Sequence, residues 1–154
     1  MMYNIFVSYA QPEVGWAEYL KQHLVFSDVN IFVSEHDLPA GNNLSSEISN
    51  QIKKCDLFVL LWTQNANSSI YVNQELFLAK TEGKKLLPIL LQPGIHLPQI
   101  VGDIKYLNIA KAPENQLAWL RAHVESEAKS KALSNIIALG FLGLIAFVAF
   151  RGKH

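Results

Sequence analysis

The chain has 154 residues, enough for one domain with a hydrophobic core and little besides. Its 13 basic and 13 acidic residues cancel, so the charge balance gives no reason to expect a nucleic-acid partner. The single cysteine, Cys55, excludes an internal disulfide and is typical of a protein from a reducing compartment. Half the residues are hydrophobic, and the excess is concentrated near the C-terminus.

Short apolar runs alternate with helical patterns along the first 125 residues. Strands are predicted at Tyr3–Tyr9, Asn30–Ser34, Asp56–Trp62, Leu86–Leu91 and, weakly, Ile104–Ile109. Helices are predicted from Glu13 or Gly15 to Val25, and at Leu44–Lys54, Asn67–Lys80 and Pro113–Glu127. This alternation predicts an α/β fold, a parallel five-stranded sheet with right-handed crossovers and helices on both faces. Pro88 predicts a bulge or a strand end in the fourth strand.

The helix predicted at Asn67–Lys80 follows the most apolar strand across a short polar turn. Ser68 or Ser69 can serve as its N-cap. Apolar residues then recur at near-helical spacing, at Ile70, Val72, Leu76, Phe77 and Ala79. Tyr71 and Glu75 are four residues apart, so they share a helix face near the carboxyl end of the preceding strand. Ligands of open α/β sheets bind at that end, and a carboxylate beside an aromatic ring suits a cationic or electron-poor ligand.

The segment 132–150 contains no charged residue and would span roughly 28 Å as a helix, about the hydrocarbon thickness of a bilayer. We therefore predict a C-terminal transmembrane helix. A buried core helix is the alternative, but the rest of the domain is too small to surround a helix that is apolar on all sides. Small residues recur in the segment at Gly140, Gly143, Ala146 and Ala149, a stripe that would let two helices approach closely.

Four motifs in series carry a family resemblance. They are YNIFVSY at the N-terminus, EHDLPAG after the second strand, SxYVxxEL on the helix after the third strand, and KKLLPILL at the fourth strand. Together they resemble Toll/interleukin receptor (TIR) domains of the bacterial type, over about Met1 to Glu125. The resemblance implies a flavodoxin-like TIR fold. The predicted organisation is a TIR domain at 1–125, a short charged linker at 126–131, the transmembrane helix at 132–150 and a basic tail at 151–154.

The resemblance also implies an activity, because enzymatic TIR domains cleave the nicotinamide–ribose bond of NAD by hydrolysis, cyclisation or base exchange. The family's catalytic glutamate corresponds to Glu75, and Tyr71 stands where the family usually has tryptophan. One carboxylate can stabilise an oxocarbenium-like ribose and orient its hydroxyls, so NAD is the substrate and neither a metal nor another cofactor is required. The plainer alternatives are that Glu75 is a solvated surface residue and Tyr71 a rim or core aromatic.

Further site residues follow from the same resemblance. The first loop and the turn after the second strand border the family's pocket, which implies substrate-binding roles for Tyr71, Ser8, Tyr9, Ala10, Gln11, Ser34, Asp37 and Leu38. Pro39 and Gly41 mark the BB loop, which in the family takes part in contacts between domains. Ala10 and Gln11 depart from the family, which often has arginine or another polar residue in the first loop. Ser8 is expected to be a strand-end residue and not a nucleophile, since no histidine is placed to activate it.

The function predicted from these features is that of an NAD+ nucleosidase or ADP-ribosyl cyclase, a hydrolase of prokaryotic antiphage defence and cell-death signalling. We expect a single-pass membrane protein with its TIR domain in the cytoplasm, assembling with other TIR domains as a homo-oligomer or filament. Two alternatives stay open. In the first, the domain is a non-catalytic TIR adaptor. In the second, assembly of the TIR domains clusters the apolar tails and disrupts the membrane.

Overall fold

A computed structural model describes residues 1–34 and 44–151 of the chain, with residues 141–151 described as backbone only. The strands are β1 Tyr3–Ser8, β2 Val29–Val33, β3 Leu57–Trp62, β4 Leu86–Leu90 and β5 Leu107–Asn108. The helices are α1 Val14–His23, α2 Ser46–Lys54, α3 Gln64–Asn67, α4 Ile70–Thr81 and α5 Pro113–Arg151. Two 3-10 turns lie at Gln11–Glu13 and Gln99–Val101.

The strands form one five-stranded sheet in the order β2-β1-β3-β4-β5, and every pair is parallel. The predicted parallel sheet is thereby confirmed. The chain turns to one side of β1 to form β2 and to the other side to form β3. That reversal leaves a crevice at the carboxyl ends of β1 and β3, the position where open α/β sheets bind ligands.

Alternate residues of the central strands build two separate core layers. Ile5 and Val7 point to the layer that contains the buried residues of α1 and α5. Phe6 points to the opposite layer, where its ring stacks on Phe58 at a centroid distance of 5.4 Å. The second layer also holds the buried apolar residues of α2 and α4. Glu75 is therefore carried by a helix that packs directly on the sheet.

Helix α4 begins with a side-chain cap, because the Ser69 side chain accepts a hydrogen bond of 3.3 Å from the Val72 amide. Ser68 instead ends the short helix α3, whose N-cap is Thr63. No helix was predicted at this position. The buried side chains of α4 are Val72, Glu75, Leu76 and Ala79.

Two of the apolar residues of α4 do not face the core. Ile70 and Phe77 are 58% and 63% exposed. At about 100° per residue they lie on one face, and that face is opposite the one formed by Val72 and Ala79. The apolar residues that the sequence pattern grouped together therefore lie on two different faces of the helix.

Pro88 lies inside β4, opposite Leu60 of β3, so the predicted bulge or strand end is wrong. The Leu91 amide donates a hydrogen bond to the Trp62 carbonyl, and in a parallel ladder alternate residues of a strand bond to the same neighbour. The backbone nitrogen of Pro88 therefore faces away from β3, toward the side of β5. On that side β5 pairs only with Ile89 and Leu90. Pro88 therefore interrupts no ladder, which is where proline is tolerated in a sheet.

Several element ends differ from the predictions. Helix α1 ends at His23 and leaves Val25 exposed, and β5 comprises only two residues where a strand at Ile104–Ile109 was predicted. Helix α5 continues through the predicted linker 126–131 without a break, so the last two predicted helices are one. Lys131 donates hydrogen bonds to the Met2 carbonyl and to Asp56, which ties α5 to the amino ends of β1 and β3.

In the part of the chain with described side chains, no helix is both long and apolar enough to cross a membrane. Past Lys131 four large hydrophobic side chains of α5 are exposed, at Leu133, Ile136, Ile137 and Leu139. Residues 141–150 of the predicted transmembrane segment lie outside the described side chains. The end of the predicted basic tail, residues 152–154, lies outside the described residues.

Candidate active site

The carboxyl edge of the sheet brings two serines together. Ser8 is the last residue of β1, and Ser34 directly follows β2. Val7 pairs with Val33 in the parallel ladder, and the Ser34 amide donates a 3.2 Å hydrogen bond to the Val7 carbonyl. Equivalent positions of paired parallel strands point to the same face. Both side chains therefore point toward α4, and both are fully buried.

Glu75 receives one hydrogen bond from each serine. The Ser8 hydroxyl donates to Oε1 at 2.9 Å, and the Ser34 hydroxyl donates to Oε2 at 2.5 Å. Glu75 itself is 0% exposed. Three segments that are distant in sequence thus fix the position of one carboxyl group, and its two oxygens each have a hydroxyl donor.

Burial raises the pKa of Glu75 to about 7, although the hydrogen bonds from Ser34 and Ser8 lower it. An apolar environment disfavours the carboxylate, whereas hydroxyl donors stabilise it. A carboxyl group with a pKa near neutrality changes its charge in response to small changes around it. The approach of a cation would favour its ionised form.

Tyr71 lies on α4 one turn before Glu75 and is half-buried, so the predicted shared face is present. Tyr9 and Ala10 are buried in the two hydrophobic layers, Tyr9 with β1 and Ala10 with the buried face of α4. Gln11 is exposed and begins the first 3-10 turn. The first loop therefore places two buried residues and one exposed residue at this edge.

The remaining predicted site residues, Asp37, Leu38, Pro39 and Gly41, lie outside the described residues. Within the described residues, no group of three histidine, cysteine, aspartate or glutamate side chains is placed to hold a metal ion. Ser8 and Ser34 were predicted to bind the substrate, and their hydrogen bonds to Glu75 were not predicted. A signal was available, since each serine ends the apolar run of a predicted strand.

Residues 5–123 match the TIR domain family. The chain belongs to that family. The match runs from Ile5, inside β1, through β5 to the first part of α5, and it includes Ser8, Ser34 and Glu75. None of the curated proteins compared with the chain matches it.

Solved structures agree with the family. A TIR domain of the Toll-related receptor TRR-2 from Hydra magnipapillata superposes with a TM-score of 0.65 at 17% identity, covering 80% of this chain and 99% of that one. TIR domains of the activated Roq1 resistosome, which recognises the pathogen effector XopQ, give 0.61 at 13% identity, covering 81% and 98%. The CMP N-glycosidase BcmB of Clostridium botulinum gives 0.54 at 19% identity, covering 78% and 98%. At these identities the likeness is one of fold.

Proposed function

We propose that this TIR domain cleaves the nicotinamide–ribose bond of NAD, with Glu75 as the catalytic carboxylate. The observation that supports the proposal is the buried Glu75 carboxyl group, held by Ser8 and Ser34 at the carboxyl edge of the sheet. The fold likeness to a CMP N-glycosidase adds support for the bond class, since that enzyme also acts on an N-glycosidic bond.

The reaction needs one well-placed negative charge. The bond between ribose C1′ and the nicotinamide nitrogen breaks, and its electron pair leaves with nicotinamide as a neutral molecule. The ribose that remains has oxocarbenium character, and the Glu75 carboxylate stabilises this developing positive charge. Water, or a nucleophile of the same molecule, then adds at C1′ and releases a proton. The products are ADP-ribose or a cyclic or modified ADP-ribose.

The raised pKa of Glu75 is compatible with this role. The nicotinamide ring of NAD is cationic, and its approach favours the ionised carboxyl group. Because the side chain has no exposed surface in the described structure, binding of NAD also requires that the groups covering Glu75 move.

Nicotinamide release by the full chain tests the assignment. We expect Glu75→Gln to reduce the rate at saturating NAD about 10³-fold, because the amide keeps the shape of the side chain and removes its charge. Glu82→Gln is the matched control, since Glu82 is an exposed glutamate at the C-cap of the same helix. No turnover in the unmodified chain would refute the enzyme, whereas equal turnover in Glu75→Gln would refute only the role of Glu75.

A second candidate function is assembly without catalysis. The exposed Ile70 and Phe77 border a cavity of about 740 Å³ between α2 and α4, and an exposed apolar surface of this kind suits contact with another TIR domain. Phe77→Ser should then shift the full chain to smaller species in light scattering, with Lys80→Ser as the control. An unchanged distribution of sizes would refute this surface as the contact.

We also propose the cellular setting. Residues 132–150 would tether the chain as a single-pass membrane protein of prokaryotic antiphage defence, with the TIR domain on the cytoplasmic side where NAD is available. The uncharged sequence and the exposed apolar side chains of α5 support the tether. Extraction of the chain from cell membranes by alkaline carbonate would contradict it.

A further inference from the structure

The amino edge of the sheet carries a basic cavity, whereas Glu75 is held by Ser8 and Ser34 at the carboxyl edge. The cavity has a volume of about 380 Å³, and its lining includes four lysines, Lys80, Lys84, Lys85 and Lys105. We name these four residues the lysine edge. They come from the end of α4, from the turn before β4 and from the turn before β5. No aspartate or glutamate is among the described lining residues, and the floor is apolar.

The contacts of the lysine edge leave most of its charge uncompensated. Lys84 donates to the Lys53 backbone carbonyl, which carries no net charge. The Lys105 ammonium lies 3.8 Å from the centroid of the Trp119 ring, a contact that is favourable without neutralising the lysine. The Lys85 ammonium is 3.9 Å from Glu127, and the two side chains are 58% and 38% exposed, so the pair is weak.

His123 also lines the cavity. Its ring stacks on Trp119, with the ring centroids 4.6 Å apart. Burial lowers the pKa of His123, and Lys85 and Lys105 lower it further, whereas Glu127 raises it. Glu82 and Asp103 also lie near this edge but do not line the cavity. A cluster of lysines over an apolar floor suits an anionic group attached to an apolar body.

Helix α5 leaves the domain at this same edge. Lys131 contacts Met2 and Asp56 at the amino ends of the strands, and the hydrophobic side chains of α5 are exposed from Leu133 onward. The uncharged segment 132–150 therefore begins where α5 leaves the amino edge of the sheet. Ser8 and Ser34 lie at the opposite edge.

We infer that the lysine edge faces an anionic lipid surface, so that the Glu75 edge points away from the bilayer into the solvent. This inference rests on the tether proposed above. Phosphate groups of anionic lipids would lie among the four lysines. Each lysine held near such a surface raises the affinity about fivefold, and the effect falls within a Debye length.

Lysine acetylation of the full chain in lipid nanodiscs tests the inference. The chain is incorporated into discs of phosphatidylcholine alone and into discs with about 30% phosphatidylglycerol. We expect Lys80, Lys84, Lys85 and Lys105 to react about threefold more slowly in the anionic discs, and 0.5 M salt, roughly, to remove the difference. Lys111, which follows β5 at the carboxyl edge, is the internal control and should react equally in both.

A charge-matched pair of variants separates the lysine edge from net charge. Lys80→Gln with Lys105→Gln should abolish the salt-sensitive protection of Lys84 and Lys85. Lys21→Gln with Lys111→Gln removes the same charge elsewhere on the surface and should leave that protection intact. Loss of protection in both pairs would show a general charge effect and refute the lysine edge.

The other outcomes are equally decisive. Equal acetylation in both kinds of disc refutes the inference. Protection in neutral discs by soluble pyrophosphate, as strong as that by anionic lipid, assigns the cavity to a small anion and refutes the lipid surface. Failure to enter neutral discs refutes the tether alone. In that case, salt-dependent binding of the chain from solution to anionic discs would support an anionic lipid surface as the partner of the lysine edge. Absence of such binding would refute that partner.

Discussion

The Glu75 carboxyl group is held between two opposing effects. Burial disfavours its charge, and the hydroxyls of Ser8 and Ser34 partly offset that penalty. The same two hydrogen bonds position both carboxyl oxygens. Removing a serine should therefore change the protonation of Glu75 as well as its orientation, and the two consequences can be measured separately.

The first prediction concerns the pH dependence of the proposed NAD cleavage. With a pKa of about 7, Glu75 of the chain without bound NAD is protonated at acid pH, so kcat/KM should rise with pH and level off above neutrality. Ser34→Ala removes a hydrogen bond that lowers the pKa, so the rise should move to higher pH and activity at pH 7 should fall severalfold. Ser27→Ala, at an exposed position, is the control. An unmoved profile in Ser34→Ala would contradict the coupling.

The second prediction concerns stability and does not depend on activity. The pKa of Glu75 is raised from 4.5 to about 7, so in this interval the folded chain binds more protons than the unfolded chain. The contribution of Glu75 to stability is fully present below pH 4.5, falls as pH rises to about 7, and is then constant.

Glu75→Gln removes the ionisable group and with it this pH dependence. We expect urea unfolding to show the variant gaining stability relative to the unmodified chain between pH 4.5 and pH 8, by up to roughly 3 kcal/mol. A constant difference between the two proteins across this range would mean that the folded structure does not raise the pKa of Glu75.

At the scale of the element, α4 shows which features of a helix can be predicted from local sequence signals. Ser68 and Ser69 were equivalent candidates for the N-cap in the sequence, and the structure selects Ser69. The choice depends on α3, a short helix that uses Ser68 as its C-cap. Helical spacing predicted the helix itself but did not separate the core face from the outer face that carries Ile70 and Phe77.

The third prediction follows from that cap. Ser69→Ala should reduce the free energy of unfolding by about 1 kcal/mol, because the Val72 amide loses its acceptor. Ser69→Asp should retain the cap and most of the stability. Ser68→Ala is the neighbouring control and should change the free energy by less than about 0.5 kcal/mol. A larger loss at Ser68 than at Ser69 would contradict the assignment.

At the scale of the molecule, α5 connects the two ends of the domain. It begins after β5 at the carboxyl edge, packs Leu120 and Val124 into the core, and reaches the amino edge at Lys131. Lys131 and Asp56 are separated by 75 positions, and Asp56 also accepts a hydrogen bond of 2.8 Å from the Asn4 amide. This contact determines where α5 leaves the domain.

The fourth prediction tests that contact with a double-mutant cycle. The Lys131 ammonium is 2.7 Å from the Asp56 carboxylate, and both side chains are about three-quarters buried. Lys131→Met and Asp56→Asn should couple by roughly 0.5–1 kcal/mol in chemical unfolding. The exposed pair Lys129 and Glu125 is the matched control and should couple by about 0.3 kcal/mol. Equal coupling in both cycles would show that Lys131 does not fasten α5 to the sheet.

The sequence by itself determined the order of the five strands, the parallel sheet, and the helix that carries Tyr71 and Glu75. These follow from local patterns, since apolar periodicity and end signals act over a few residues. The order and spacing of the four motifs were sufficient to predict the TIR domain family. The predicted bulge or strand end at Pro88 was wrong because the effect of a proline depends on whether a neighbouring strand pairs with it. The length of β5 decides this, and the residues around Pro88 carry no information about that length.

The tertiary structure alone decided the state of Glu75. Ser8 lies 67 positions and Ser34 41 positions from Glu75, so no local pattern brings the three together. The sheet order does so, because β1 and β2 pair in parallel and end side by side under α4. Burial and hydroxyl donors then set the pKa, and both are properties of packing. For the same reason only the fold reveals that the lysine edge and the exit of α5 lie opposite Glu75.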